Sequence, residues 1–213
     1  MIDIKPFQIF NVLDRTDFAK VQEDKAKFFY NNVPPQKRIL ENPGDNSGEF
    51  YIRLNFNHSP EKIGVFSKLC NKIQNILVEK GFEDPLVSRL GYLNHYERPY
   101  MSYHRHVPVM WENYGLETGI KDRLGKSRFA IPLQYFWIAI YYPHELYDKH
   151  YQGYVNVKLG KYDKKSYKFP SAPNSLVLHN GLYGHEVFLD KVGKDKMRDS
   201  CFTEWLCKYN NPL

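Results

Sequence analysis

The sequence has little of what builds disulfides or thiolate metal sites. Its three cysteines, Cys70, Cys201 and Cys207, lie far apart, and no two of them form a Cys-x-x-Cys pair. This spacing argues against a zinc site held by thiolates. An odd number of isolated cysteines is typical of reduced thiols in a reducing compartment.

Long apolar runs are also missing. The longest one, Tyr135 to Tyr142, is far shorter than the roughly 20 residues that a membrane-spanning helix needs. The first residues, Met-Ile-Asp-Ile-Lys-Pro, lack the basic segment followed by an apolar one that marks a secretory signal. We therefore expect a cytoplasmic protein that does not enter a membrane.

The charge is moderately positive and is not concentrated in one place. Lys and Arg number 30 against 24 Asp and Glu, which gives a formal net charge of +6 and an isoelectric point of about 9.0. This balance is compatible with a solvated surface or with a small acidic ligand such as a dicarboxylate. Because the sequence shows no stripe of basic and aromatic residues, nucleic acid is the least favoured partner.

What the sequence does contain is material for one core. The 213 residues include 17 Tyr and 14 Phe, and no segment has the composition of a linker. We expect a single domain over residues 1–213. Its helices and first strands should occupy residues 1–84, and residues 85–213 should form a β-rich core.

Two helices are predicted in the first part of the chain. One covers Thr16 to Tyr30, where apolar and charged positions alternate at helical spacing. The other begins at Ser59 and Pro60, which suit the cap and the first helical position, and ends at Gly81. We expect both helices to pack on a sheet.

Short strands dominate the rest of the chain. Aromatic and β-branched segments are separated by Pro, Gly and Asn, as in successive strands of an antiparallel sheet. The predicted strands are Glu49–Asn55, Gln134–Tyr142, Gly153–Lys158, Ser175–His179, Glu186–Leu189 and Cys201–Lys208. Helices followed by many short strands indicate an α+β fold whose strands form a sandwich or a barrel.

Three histidines are the candidate metal ligands. His104 and His106 flank one residue, and residues two apart on a strand point to the same face. His185 follows a glycine-rich turn and opens a predicted strand, so it could complete a three-ligand face with the other two. Imidazole suits iron, copper, nickel and zinc alike, so the ligand type does not determine which of these metals binds.

Arg198 and Ser200 are candidates for holding a carboxylate. They are two residues apart before the last predicted strand, so both side chains can face the interior of a barrel. A guanidinium grips a carboxylate in a bidentate fork, and a hydroxyl can donate a further hydrogen bond.

The second half of the chain resembles the Fe(II)/2-oxoglutarate oxygenase superfamily, in its prolyl-hydroxylase-like branch, over about residues 90 to 208. The resemblance is carried by four segments in the family's order, Tyr96–His106, Ile138–Pro143, Pro173–His185 and Arg198–Ser200. It implies a double-stranded β-helix, a jelly-roll or cupin-like core, with the N-terminal helices packed on its major sheet. It also implies an oxidoreductase with Fe(II) at His104, His106 and His185. The co-substrate 2-oxoglutarate would contact Tyr142, Arg198 and Ser200, and the substrate would be a small molecule or a peptide.

The chain departs from the family at His106, where the family has a carboxylate. Three interpretations follow. The site could be an all-histidine iron face, as in the cysteine dioxygenases. A conventional pair could instead come from His95 and Glu97, or ordinary activity could be lost. We favour His104 and His106 because the Tyr-x-x-Pro segment lies in the expected place before them.

Two other classes of protein fit the same residues. A cupin-type dioxygenase with three histidines and no 2-oxoglutarate would gain support if Arg198 and Ser200 pointed outward. A non-enzymatic jelly-roll binding module predicts that His104, His106 and His185 do not converge.

Overall fold

The architecture is known from a computed structural model. It describes residues 4–32, 49–54, 66–95, 100–106, 120–121, 127–128, 135–144, 153–188 and 198–209. Within these residues the protein consists mostly of antiparallel sheets, with two helices that precede most of the strands.

Both predicted helices are present. Helix α1 (Arg15–Asn32) begins after Asp14, whose side chain accepts a 2.8 Å hydrogen bond from the backbone N–H of Asp17. Helix α2 (Ser67–Glu79) ends before Gly81, whose φ of 90° suits glycine because a side chain would be strained there. The start predicted for the second helix, residues 59–65, lies outside the described residues. In the described part of the chain no helix is long and apolar enough to cross a membrane.

All six predicted strands are confirmed, with ends that shift by a few residues. In chain order the strands are β1 (Phe7–Phe10), β2 (Glu49–Leu54), β3 (Phe82–His95), β4 (Tyr100–His104), β5 (Ile120–Lys121), β6 (Ser127–Arg128), β7 (Phe136–Tyr142), β8 (Tyr154–Lys158), β9 (Tyr167–Pro170), β10 (Ser175–Asn180), β11 (Gly184–Phe188) and β12 (Arg198–Tyr209). Strand β4 was expected only from the spacing of His104 and His106, and the strands β1, β3, β5, β6 and β9 were not predicted. Strands β1, β5, β6 and β9 are only two to four residues long, and Pro85 and Gly91 interrupt the pattern of β3.

The strands form two larger sheets. The major sheet has six strands in the order β1-β10-β7-β12-β3-β2, and the minor sheet has four in the order β4-β11-β8-β9. Strands β5 and β6 pair only with each other among the described residues. The minor sheet thus contains the strands on which His104 and His185 lie.

Two apolar cores lie on opposite faces of the major sheet, because successive residues of a strand point to opposite sides. The helix-side core contains Val21 of α1, the buried residues of α2, and alternate residues of the sheet such as Trp137 and Leu178. The intersheet core joins the other residues of the same strands, such as Ile138 and Phe202, to the minor sheet. The two sheets therefore form a sandwich, and the histidines lie on its inner side.

Candidate metal centre

Three histidines meet between the sheets. His104 ends β4 and stands directly opposite His185 of β11, while His106 lies two residues beyond the end of β4. The ring centroids are 4.3 Å apart for His104 and His185, 5.1 Å for His106 and His185, and 5.3 Å for His104 and His106. One nitrogen from each ring lies within 4.8 Å of the corresponding nitrogens of the other two. The structure thus brings together all three histidines that the sequence singles out.

A close approach between β4 and β11 makes this meeting possible. Gly184 lies under the Tyr103 ring, and a Cβ at this position would be 2.5 Å from Tyr103 Cζ and 2.7 Å from the His104 carbonyl oxygen. Only a residue without a side chain allows such an approach. The glycine before His185 therefore sets the distance between the two opposing histidines.

Each of the three rings has its Nδ1 engaged by a neighbour. His104 Nδ1 is 2.9 Å from the Ser102 carbonyl oxygen, and His106 Nδ1 is 2.7 Å from Glu204 Oε1. Because a carbonyl or a carboxylate can only accept, both Nδ1 atoms must carry the proton. The lone pair of each neutral ring is then on Nε2.

His179 completes this pattern for the third ring. Its Nδ1 lies 3.1 Å from the Asn180 carbonyl oxygen, and its Nε2 lies 3.1 Å from His185 Nδ1. His179 Nδ1 therefore donates, His179 Nε2 accepts from His185 Nδ1–H, and the free lone pair of His185 is on Nε2. Partners of this kind fix the tautomer and the ring orientation of histidines that bind metals.

Burial favours the neutral form of His104, His179 and His185. Loss of solvation lowers the pKa of His179 to about 3, and it also lowers the pKa of His104 and that of His185, the latter strongly. The neighbouring histidines lower the pKa of His185 further. Neutral imidazole is the form that binds a metal, so the donors fit an ion of the iron, copper, nickel or zinc type at neutral pH.

The residues predicted to hold a carboxylate lie on β12 and β7. Ser200 and Tyr142 are both buried, and Tyr142 belongs to the intersheet core. Cys201 stands opposite Tyr141, so the same register places Ser200 opposite Tyr142, with both side chains on the inner face. Arg198 begins β12 opposite His95, and its side chain lies outside the described part of the structure.

Of the alternative ligand pair, His95 and Glu97, the structure describes only the backbone of His95. His95 ends β3 in the major sheet, where its backbone pairs with Arg198 and Glu49. Glu97 lies outside the described residues. Among the described residues, the cluster able to hold a metal contains His104, His106 and His185.

Two buried neighbours of the histidines, His179 and Glu204, were not singled out by the sequence analysis. Both occupy predicted strands, but neither was given a role. A signal was present, because each is a titratable residue that alternates with apolar residues such as Val177 and Phe202 on the inward side of its strand. The histidine that His179 or Glu204 contacts depends on the pairing between distant strands, which cannot be predicted from local sequence patterns.

Comparisons with known proteins give matches to structures only. No family model matches the chain, and no curated protein matches it. Solved structures match over nearly its whole length. A prolyl-4-hydroxylase from Pseudomonas putida is 14% identical, with a TM-score of 0.53 over 96% of this chain and 93% of that one.

Two further matches have the same character. A prolyl hydroxylase from Trichoplax adhaerens, solved with a peptide fragment of the hypoxia inducible factor oxygen degradation domain, is 11% identical. Its TM-score is 0.58 over 95% of this chain and 83% of that one. A 2OG-Fe(II) oxygenase family oxidoreductase from Burkholderia pseudomallei is 10% identical, with a TM-score of 0.58 over 96% and 85%. The chain therefore has the double-stranded β-helix fold of the 2-oxoglutarate and Fe(II) oxygenases.

Proposed function

We propose that this protein is a non-haem Fe(II)/2-oxoglutarate-dependent oxygenase of the hydroxylase type. The observation that carries the proposal is the convergence of three imidazoles, each with its Nδ1 hydrogen-bonded to a neighbour and its Nε2 available. Such a set binds one ion on one face and leaves the opposite face open for other ligands.

In this proposal His104, His106 and His185 hold the iron, which when bound would supply activation of dioxygen. The residues themselves keep the ring nitrogens neutral and oriented. The intersheet core beside them keeps water away, since Phe202 packs against the His106 ring with a centroid separation of 5.4 Å.

Tyr142, Arg198 and Ser200 are proposed to hold the co-substrate. Ser200 lies two residues from Phe202, or about 7 Å along the strand. This distance is comparable to the length of a five-carbon dicarboxylate with one end near the histidines. By the resemblance, Arg198 would grip the far carboxylate while Ser200 and Tyr142 each add a hydrogen bond.

We extend the proposal to the whole chain. Residues 1–213 would form one oxygenase-like domain, with both helices on the major sheet. The Trichoplax adhaerens neighbour is solved with a peptide, and a peptide or a small molecule is therefore the proposed substrate class. A cytoplasmic location is proposed from the cysteines, because Cys70, Cys201 and Cys207 are all buried and reduced.

A second candidate is a three-histidine dioxygenase that does not use 2-oxoglutarate. The donor set favours it, because the described metal cluster has no carboxylate. The third class, a non-enzymatic binding module, predicted that the histidines would not converge. Their convergence counts against it.

Anaerobic titration with Fe(II) and then 2-oxoglutarate separates the two candidates. The proposal predicts a visible metal-to-ligand charge-transfer band on addition of 2-oxoglutarate, and release of succinate after oxygen is admitted. Iron binding without that band would favour the second candidate. Absence of iron binding by folded protein would remove both.

The matched control is His185→Ala. It removes a ligand from the centre of the cluster, and we expect metal affinity to fall by about 100-fold or more, since even changes behind a ligand cost 10–100-fold. Metal content and binding isotherms measure this. Retained affinity would show that the ion binds elsewhere.

A further inference from the structure

Glu204 is a charged residue in an apolar row of β12. Its inward neighbours along the strand, Phe202 and Leu206, both belong to or pack against the intersheet core. Only 2% of the Glu204 side chain is exposed. A buried carboxylate is costly unless it has a partner, so its presence in this row needs a specific reason.

The partner is a proposed metal ligand. Glu204 Oε1 accepts a hydrogen bond from His106 Nδ1 at 2.7 Å, and only 12% of the His106 side chain is exposed. The other two rings have neutral partners at Nδ1, a backbone carbonyl for His104 and His179 for His185. In the described residues, a negative charge therefore stands behind one ligand, and that ligand is His106.

His106 is also the position at which a carboxylate would complete the usual set. Non-haem iron oxygenases of this kind use two histidines and one carboxylate, which leaves one net positive charge on Fe(II) and its ligands. Three neutral imidazoles leave two. A carboxylate hydrogen-bonded to one imidazole returns the total to one, and it also raises the basicity of that ring.

We propose that Glu204 is a positioning residue for the metal centre: it orients His106 and supplies, from behind that ring, the negative charge that a directly ligating carboxylate would supply. This inference rests on the proposed function. It assigns to Glu204 a contribution to metal affinity that depends on which residue occupies position 106.

The test is a double-mutant cycle of His106→Asp and Glu204→Gln. The four proteins are titrated anaerobically with Fe(II), and with Co(II) as a probe that is stable in air. Gln keeps the shape and one acceptor oxygen of Glu204, removes the charge, and replaces the other oxygen by an NH2 group. Arg89 stands opposite Glu204 in the β3 register and is kept in all four proteins, so the comparison between backgrounds isolates position 106.

The effect of Glu204→Gln on metal affinity should depend on which residue occupies position 106. With His106 present, Glu204→Gln should weaken metal binding by at least about tenfold. In the His106→Asp background, the same substitution should leave binding unchanged or strengthen it, because two adjacent carboxylates repel one another. An equal loss in both backgrounds would overturn the proposal, since it would mean that Glu204 acts only on structure.

The matched control is Glu186→Gln. Glu186 is also a buried carboxylate, one residue from His185, and it pairs with Lys158 and Asn156. We expect this variant to bind metal like the wild type, and thermal unfolding of each metal-stripped variant confirms that it is folded. Wild-type protein without metal affinity would overturn the proposed function. A wild type that binds metal beside an unaffected Glu204→Gln variant would overturn only the role of Glu204.

Discussion

The two faces of the major sheet use the same strands for different purposes. On β7, β10 and β12, one set of alternate residues, including Trp137, Leu178 and Trp205, belongs to the same apolar cluster as the buried residues of α2. The other set faces the minor sheet and includes the polar residues His179 and Glu204 among apolar neighbours. One face is almost wholly apolar, while the other also carries polar groups beside the histidines.

The polar groups on the two faces also differ in what they contact. On the helix side, the Trp205 indole N–H donates to Thr203 Oγ1 at 2.7 Å and Tyr141 donates to Asn174 at 3.0 Å, so these groups are satisfied within the fold. On the inner face, His179 and Glu204 each contact a ring of the candidate metal cluster. Changes on the helix side should therefore affect folding, and changes on the inner face should affect the ligands.

The largest effect is expected from Leu178→Ala on the helix side. Leu178 is fully buried, so truncation should lower the free energy of unfolding by about 2–5 kcal/mol through lost transfer energy and a residual cavity. Urea unfolding of the metal-stripped protein measures this. Metal affinity of the folded fraction should stay at the wild-type value.

A loss of metal affinity in Leu178→Ala would contradict the division between the two faces. If Leu178→Ala weakened metal binding as much as it weakened folding, the two faces would act as one unit and the division described above would be wrong.

Six strands were predicted from aromatic and β-branched segments between turn residues, but β3, the longest strand, was not among them, because Pro85 and Gly91 interrupt its pattern. The sequence also predicted the three histidines, since His104 and His106 are two apart and His185 opens a strand. The detail differs, because β4 ends at His104 and His106 reaches the cluster from beyond the strand. The spacing of His104 and His106 was therefore enough to predict that these two rings lie together, though the strand is shorter than alternation implied.

The residues behind the ligands could not be predicted in the same way. Across the major sheet, His179, Ile138 and Glu204 stand in one row on three adjacent strands. That row depends on the register between strands that are far apart in sequence, which is set by packing of the whole sandwich. Local pattern identifies the inward positions, and only the fold shows which ligand each of them contacts.

A smaller effect is expected from Gly184→Ala, which tests the close approach of β4 and β11. The added methyl group would lie 2.7 Å from the backbone carbonyl oxygen of His104, and a backbone atom cannot move aside as the end of a side chain can. Displacement of His104 from His185 should weaken metal binding by about tenfold, the lower range for disturbed ligand orientation. Metal-binding isotherms measure the change.

Gly160→Ala is the matched control. Its Cβ would meet Asp163 Oδ2 at 3.2 Å, in an exposed turn where the side chain can rotate away. We expect wild-type metal affinity and stability from this variant. Equal losses from the two alanines would show that Gly184 has no special role in setting the distance between the histidines.

The smallest effect concerns acid stability and the ring behind His185. The pKa of His179 is about 3 in the folded protein, well below its ordinary value of 6.5, because burial disfavours the charged form. Well above pH 6.5 the ring is neutral in both states and contributes nothing to the pH dependence. Below that value His179 takes up a proton in the unfolded chain but stays neutral in the folded protein. Stability is then lost at up to about 1.4 kcal/mol per pH unit for this ring.

In the variant His179→Phe, the slope of the unfolding free energy against pH should fall by up to the contribution of one proton. Urea unfolding of the metal-stripped protein between about pH 7 and about pH 5 gives both slopes. The wild type should keep a steep dependence from His179 and His185 together, and the variant should keep only the part due to its remaining histidines. The helix-side variant Leu178→Ala should lower stability equally at every pH, because no titratable group is changed. Parallel curves for wild type and His179→Phe would mean that the inner face is more hydrated than its burial indicates, and the contrast between the two faces would lose its electrostatic part.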